Sequence, residues 1–559
     1  MTCAPLSPVP EAAQFRRDPA QVMQLARLGL AHPTRLSFLR ILLRRMQREN
    51  WRFDRPVFDI DANGVGRAVY RAIGPERTYS LVAFAHDLPA DMRSDRVIAT
   101  AWDATFALCD GTPDAADLDR LAVNVPLQEA GRVTQKELTL SRANRSVRLF
   151  EHVIQCLSEG HQPSKDDLAA TGYLMRTTAV YGSGKFGAAT HHSLTDRPET
   201  AAPFQAEMLT VWMIRTFTVD LVNHMARMRD ATAAVPLDRN LRRNLGVGNS
   251  TGLGMAPFLV RHPILLNNWM MAREEALARV RAQQTAAPDK IKRFIQALRA
   301  AQENAAVWTS AHPLQQERLA ALRAGLDRIA AYVGMGRDQW ADHPWDALWH
   351  WGQAHLDTEA QEALLSLMLE PHGGLIDELE AYLSADETTA FAIDGGQQIA
   401  ALKALLANNY DWALEVDYDD LKAAGRFWYV SEDKLEPRLG ERFEEAGSDR
   451  ELPLDIGRQA AALFEALKDF AGDDPVARLL LAHHQHRAMV RRVQLTATRP
   501  FAEIRDNLID ADMLPIDMLR CKLACFGASR FDPRSDRWVR ISLFQNAPYP
   551  NDLHTEPDL

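Results

Sequence analysis

The stretch 204–230 constrains this chain more than any other. Phe204, Met208, Leu209, Val211, Trp212, Ile214, Phe217, Val219, Leu221 and Val222 spread around most of a helix circumference rather than along one stripe. A helix that is apolar on nearly every side must be covered on nearly every side, which predicts a central element with other structure packed around it. Glu207, Arg215, Asp220, Asn223 and His224 interrupt the stretch, so it does not read as a membrane span. No longer apolar run occurs elsewhere, and the first residues lack the basic-then-apolar pattern of a leader. The expectation is a soluble, cytoplasmic protein.

At 559 residues the chain exceeds what one hydrophobic core organises. Between 51 and 111 the segments VFDID, RAVYRAI, TYSLVAFAH and RVIATAWDATFALCD are rich in β-branched and aromatic residues and are separated by turn signals. They predict a small N-terminal antiparallel sheet. From about residue 140 the pattern is mainly helical, with several helices opening on Pro, and the tail 537–544 alternates like a strand that could rejoin a sheet. The fold class expected is therefore mainly α with a small N-terminal antiparallel sheet (α+β) around a multi-helix core. Three regions are expected: 1–140 with helices and the sheet, 141–285 as a helical core, and 286–559 as a C-terminal helical region.

A net charge of −10 argues against a nucleic-acid-binding surface over the whole chain. The five cysteines, Cys3, Cys109, Cys156, Cys521 and Cys525, are scattered and fit reduced thiols rather than a disulfide framework.

Two glycine-rich segments bracket the central helix. The run GVGNSTGLG at 246–254 follows Arg239, Arg242 and Arg243. Such a run at the start of a helix makes an anion-binding turn, with close backbone approach at Gly248 and Gly252 and side-chain donors from Asn249, Ser250 and Thr251. Its spacing matches neither the phosphate loop of nucleotide hydrolases nor the dinucleotide fingerprint, and its flanks read as helical. It reads equally as a structural turn between core helices. The second segment, YGSGKFGAATHH at 181–192, is expected where a helix over 165–180 ends, with Gly182 or Gly184 as a left-handed cap. Ser183 and Lys185 would hold an anion there, and His191 or His192 would carry protons.

On the central helix Asp220, Asn223, His224 and Arg227 share a face. Asp220 and His224, four residues apart, can orient an imidazole for acid–base work or form a polar stripe at the helix end. Farther on, 411–455 is irregular and charged and is expected to cover something; within it Lys434 and Arg438 could grip a carboxylate. His483, His484 and His486 lack a second ligand pair, and Cys521 with Cys525 reads as buried thiols, so no metal site is predicted. No fingerprint specifies a cofactor.

The segment LAHPTRLSFLRIL, starting at Leu30, resembles the opening helix of ArsR-type winged-helix repressors, although the recognition helix and wing do not follow in order. That resemblance would imply DNA binding. Arg35, Arg40, Arg44, Arg45 and Arg48 read more simply as the wet face of an amphipathic helix able to meet an acidic partner or a membrane surface.

Taken together, these features describe a cytoplasmic enzyme acting on a small anionic metabolite, carboxylate- or phosphate-bearing, in a pocket between helices. Ser183, Lys185, Gly248, Asn249, Ser250, Thr251, Gly252, Lys434 and Arg438 would bind it. His191, His192, His224 and Asp220 would supply acid–base chemistry of unspecified reaction type. A homo-oligomer is compatible with the sequence. The competing expectation is a non-catalytic helical scaffold that meets a partner through its basic N-terminal helix.

Overall fold

The structure is a computed structural model whose described residues are 10–29, 32, 34–89, 101–126, 134–178, 197–200, 202, 204–252, 262–310, 312–334, 342–383, 392–420, 453–506, 520, 524–528, 530–533 and 538–557. The expected binding and proton-carrying residues Ser183, Lys185, His191, His192, Lys434 and Arg438 lie outside them. The chain divides into two compact units. A sheet unit comprises Ser37–Thr251, Phe526–Asp532 and Val539–Leu559, and a helical unit comprises Met1–Leu36, Gly252–Cys525 and Pro533–Trp538. The expected boundary near 140 falls inside a strand of the sheet unit.

The sheet unit is organised by nine strands: β1 (Arg52–Ile60), β2 (Gly66–Ile73), β3 (Thr78–Ala85), β4 (Ala104–Asp110), β5 (Glu137–Arg145), β6 (Tyr173–Thr177), β7 (Gly246–Gly252), β8 (Arg530–Pro533) and β9 (Trp538–Leu543). Their order across the sheet is β1-β2-β3-β4-β5-β6-β7-β9-β8. Neighbours from β1 to β6 run antiparallel, whereas β6 and β7 run parallel, with Tyr173 opposite Gly246 and Arg176 opposite Gly248. The mainly helical class stands, but the sheet is mixed and is not a small N-terminal antiparallel one. The expected tail strand joins it as β9.

Two local causes produce the difference. The helix expected over 165–180 stops at Lys165–Thr171, because Gly172 adopts a left-handed conformation (φ 78°) and its N–H caps Leu168. The cap is therefore Gly172, not Gly182 or Gly184, and the fully buried YLMRT that follows is strand β6. The glycine-rich run is likewise not a turn between helices: 246–252 is β7. Glycine suits this strand because its neighbours crowd it. A Cβ on Gly248 would lie 2.5 Å from the Tyr173 ring, and one on Gly246 would lie 2.3 Å from the Leu543 carbonyl oxygen.

The longer helices of the sheet unit are α1 (Phe38–Arg48), α2 (Ala115–Asn124), α3 (Phe150–Ser158) and α4 (Gln205–Arg229). The central helix expected at 204–230 is α4. It packs on β2 to β6, and α1 and α3 lie against it. Phe217 meets Phe106 and Tyr70 edge-on, and Phe204 packs against Phe38 and Phe526. The basic wet face expected for α1 forms only in part: Arg48 is exposed and Arg45 pairs with Glu49, but Arg40 and Arg44 are buried.

The helical unit is assembled around α5 (Pro263–Arg281), with α6 (Pro288–Val307), α7 (Pro313–Gly334), α8 (Pro344–His355) and α9 (Thr358–Leu369) nearby. Helices α10 (Ile399–Leu414), α11 (Pro453–Ala466) and α12 (Arg487–Thr498) pack on one another. Proline opens α5, α6 and α8 at positions where its missing N–H costs no hydrogen bond. Among the described residues no helix is long and apolar enough to cross a membrane.

Helix α5 buries charge. Arg17 forks onto Glu274 at 2.7 and 2.6 Å and reaches Glu362 at 2.8 Å; Arg27 and Arg273 also pair with Glu362. Burial alone would raise Glu362, but the charges of Arg17, Arg273 and Arg27 outweigh it and hold the carboxyl far below the ordinary carboxylate range. Removing one partner of such a cluster leaves uncompensated buried charge. Glu362→Ala should therefore cost about 3–5 kcal/mol at neutral pH. Glu362 contributes stability above the unfolded carboxylate value, so the deficit should shrink as pH falls below it. Urea denaturation at neutral and acid pH checks both statements.

Candidate functional site

The described flanks of the two glycine-rich segments converge on one end of the sheet. Because β6 and β7 are parallel neighbours, their carboxyl ends, Thr177 and Gly252, point the same way along the sheet. Thr178 still belongs to the ladder: its N–H donates to the Arg142 carbonyl at 2.9 Å, and its hydroxyl accepts from the Arg142 N–H at 3.2 Å. Ser141 and Thr177 share a hydroxyl hydrogen bond of 2.8 Å. The segment 179–196 is followed by Arg197, whose Nε donates to Asp110 at 2.8 Å. Asp110 ends β4, and its N–H donates to the Lys136 carbonyl beside the start of β5. Both ends of that segment are thus tied at the same end of the sheet.

More polar groups collect there. Arg77 also reaches Asp110, at 3.0 Å. Glu199 is buried and accepts from the N–H groups of Glu76 and Arg77 and from the Tyr79 hydroxyl, the last at 2.9 Å. Burial and the Glu199 carboxylate push the Tyr79 hydroxyl far above an ordinary phenol, so it stays a donor.

Glu207 belongs to the same end. It sits in the first turn of α4, is 4% exposed, and among the described residues no ion pair or hydrogen bond from another residue reaches its carboxyl. Burial pushes it up to about 8, against the smaller opposing effect of its own backbone N–H. One turn along, Thr210 shares a hydrogen bond of 2.6 Å with Thr139 of β5. By contrast Arg215, two turns further, has several acceptors: the carbonyls of Leu245, Ala547, Pro548 and Arg243. It fastens the C-terminal stretch to the sheet unit.

Asp220 and His224 lie elsewhere. Asp220 accepts from the Tyr70 hydroxyl at 2.8 Å and from Arg55 at 2.7 Å, while His224 Nε2 donates to the Asp61 carbonyl at 3.1 Å. No hydrogen bond joins the two, so the expected Asp–His pairing does not form; each is claimed by a different part of the β1–β2 hairpin. Thirteen helical residues separate Asp220 from Glu207, about 20 Å along the axis. Gly248 is in β7, as are the backbones of Asn249, Ser250, Thr251 and Gly252. Among the described residues no group of three or more His, Cys, Asp or Glu is placed to hold a metal. Glu207 is visible in the sequence only as an interruption of an apolar run. A carboxylate in the first turn of an otherwise apolar helix is the available signal, since Glu is rarely buried without a partner.

No known protein family, curated protein or solved structure matches this chain.

Two measurements test this description. Gly248→Val drives a side chain into the Tyr173 ring and should cost about 1–3 kcal/mol. In a double-mutant cycle with Tyr173→Ala the costs should fail to add, because one contact is responsible. Glu207 gives a pH signature. Between the ordinary carboxylate value and about 8, the folded state holds a proton that the unfolded state has lost, so stability falls as pH rises through that window. Glu207→Gln removes this slope and should gain on the order of a few kcal/mol relative to wild type on going from about pH 5 to about pH 8. Parallel pH profiles in urea denaturation would mean that the carboxyl is ionised in the fold.

Proposed function

We propose that the sheet unit is the binding part of an enzyme that takes a small anionic metabolite, bearing a carboxylate or phosphate, at the carboxyl ends of β6 and β7. The parallel adjacency of these strands carries the reading. In sheets with parallel strands, ligands gather beyond the carboxyl ends, where chain leaves the ladder and its N–H groups become available. Here β6 ends at Thr177, ahead of one glycine-rich run, and β7 carries most of the other, so Lys185 and Ser183 on the first and Asn249, Ser250 and Thr251 on the second are the groups assigned to the anion. Lys185 acts as a point charge between Gly184 and Gly187. His191 or His192 carries protons near neutral pH. The polar belt of Asp110, Arg197, Tyr79 and Glu199 supports this reading, because it fixes the base on which the 179–196 segment starts and ends. The site is built on strand ends rather than between helices, and Asp220 and His224 have no part in it.

Titration calorimetry with inorganic phosphate and with malonate tests the proposal. Wild type should bind at least one of them, and Lys185→Ala should weaken binding at least about tenfold, the loss of one charge-assisted contact, with an unchanged urea midpoint. Unaltered affinity in that variant would remove Lys185 from the site. Failure of both anions to bind wild type would overturn the reading.

A further inference from the structure

We propose that Cys156 is an oxidation site for hydrogen peroxide, its sulfur attacking a peroxide oxygen while the imidazole of His152 takes up and returns the proton. The site involves none of the residues assigned to the anion and stands independently of that reading.

His152 and Cys156 are four residues apart on α3 and so share a face. The chain after α3 brings Asp167, in the short helix Lys165–Thr171, against the imidazole: its Oδ2 lies 3.3 Å from His152 Nε2. Asp167 is fixed in turn by Ser164, whose hydroxyl donates to the same oxygen at 2.6 Å and accepts from the Asp167 N–H at 3.0 Å. The Ser164 hydroxyl and the imidazole hold the Asp167 carboxyl below the ordinary carboxylate range, so it is ionised and can only accept. Nε2 therefore carries the hydrogen and donates to Asp167, and the neutral form of the ring keeps its lone pair on Nδ1. Cys156 Sγ lies 4.0 Å from Nδ1 and 3.7 Å from Nε2, where its S–H can donate to Nδ1. Thiol, imidazole and carboxylate thus form a nucleophile, a base and a group that orients the base.

The thiolate is the nucleophile in such chemistry. Burial, with the carboxylates of Glu159 and Asp167 adding to it, pushes the Cys156 thiol up, so the resting group is protonated and reaction needs a base. The S–H proton passes to His152 Nδ1, and the sulfur electron pair attacks one oxygen of the peroxide. The S–O bond forms as the O–O bond breaks, and the leaving hydroxide takes the proton back from the imidazolium as water. The thiol is oxidised to a sulfenic acid and the peroxide is reduced, with no other reactant consumed. Access selects a small, neutral oxidant. Cys156 is 6% exposed, but His152 and Glu159, one turn to either side of it, are exposed, so surface side chains cover the sulfur. The carboxylates of Glu159 and Asp167 disfavour anionic reagents. Cys109 is the contrast: it lies in the sheet core among Val82, Ala107 and Leu121, and burial pushes its thiol up to about 12.

The test treats the full chain with hydrogen peroxide in the presence of dimedone, which traps sulfenic acid, and follows the labelled peptides over time by mass spectrometry. In wild type, Cys156 should label at least about tenfold faster than Cys109, which lacks both access and a base. His152→Ala should slow Cys156 at least about tenfold, although removing the ring uncovers the sulfur. Imidazole added to that variant should restore part of the loss, which a purely packing role of the ring would not allow. The urea midpoint of His152→Ala should match wild type, because the side chain is exposed. The inference is overturned if Cys156 forms no adduct or labels no faster than Cys109 in wild type, a comparison that needs no variant. It is equally overturned if His152→Ala labels as fast as wild type or faster, or if imidazole leaves its loss unchanged.

Discussion

The parallel pairing of β6 with β7 is the constraint on which the sheet unit turns. Antiparallel neighbours can be joined by a short turn, but parallel neighbours need a connection that travels the length of the sheet. Here that connection is 178–245, and α4 is its main element. A crossover helix that lies on strands with other helices behind it is covered on most sides, which is why α4 is apolar around its circumference until its last turns, where Arg227 and Arg229 are exposed. The same pairing makes the carboxyl ends of both strands point the same way along the sheet.

Buried charge is accommodated in two ways. In the helical unit, three guanidinium groups and two carboxylates neutralise one another around α5, and the attraction exceeds the cost of burial. Such a cluster fixes packing because any shift exposes a bare charge. On α4 the two buried charged residues, Glu207 and Arg215, have no ion-pair partner among the described residues. Arg215 is dispersed over peptide carbonyls, and burial lowers its affinity for its proton to about 10. Glu207 lacks even that compensation and resolves its burial by keeping its proton. A solitary group whose ionisation is held near neutrality is suited to respond to an incoming charge, whereas a mutually neutralised cluster is not.

Much of this fold is legible in the sequence. Periodicity and prolines mark α4 to α9 closely, and alternation with turn signals marks β1 to β4 and β9. The misreadings concern strands made of unusual residues. β7 is glycine and small polar residues, so neither hydrophobic alternation nor β-branching announces it; only the Tyr173 ring and the Leu543 carbonyl, distant in sequence, explain why side chains are absent. Gly172 does not stand out as a cap because the apolar run continues beyond it, although the run changes there from helix to strand. The candidate site is half visible: the glycine-rich segments stand out, but the pairing of β6 with β7 depends on strand order, which no local pattern encodes. The Asp220–His224 spacing marks a shared helix face correctly, yet spacing cannot tell which partner on another element will claim each side chain.

The strand order has a temporal consequence. β9 lies beside β7 but is synthesised almost three hundred residues later, after the helical unit has been made. Arg215 and Trp212 wait equally long for the carbonyls of Ala547 and Pro548. Until then β7 has an open edge, and of its carbonyl acceptors Arg215 can have only those of Leu245 and Arg243. Its glycine-rich edge is poorly suited to recruiting stray strands, because it offers few side chains to pack against. The residue choice that lets β9 dock closely at the end of translation also guards the unfinished sheet until β9 arrives.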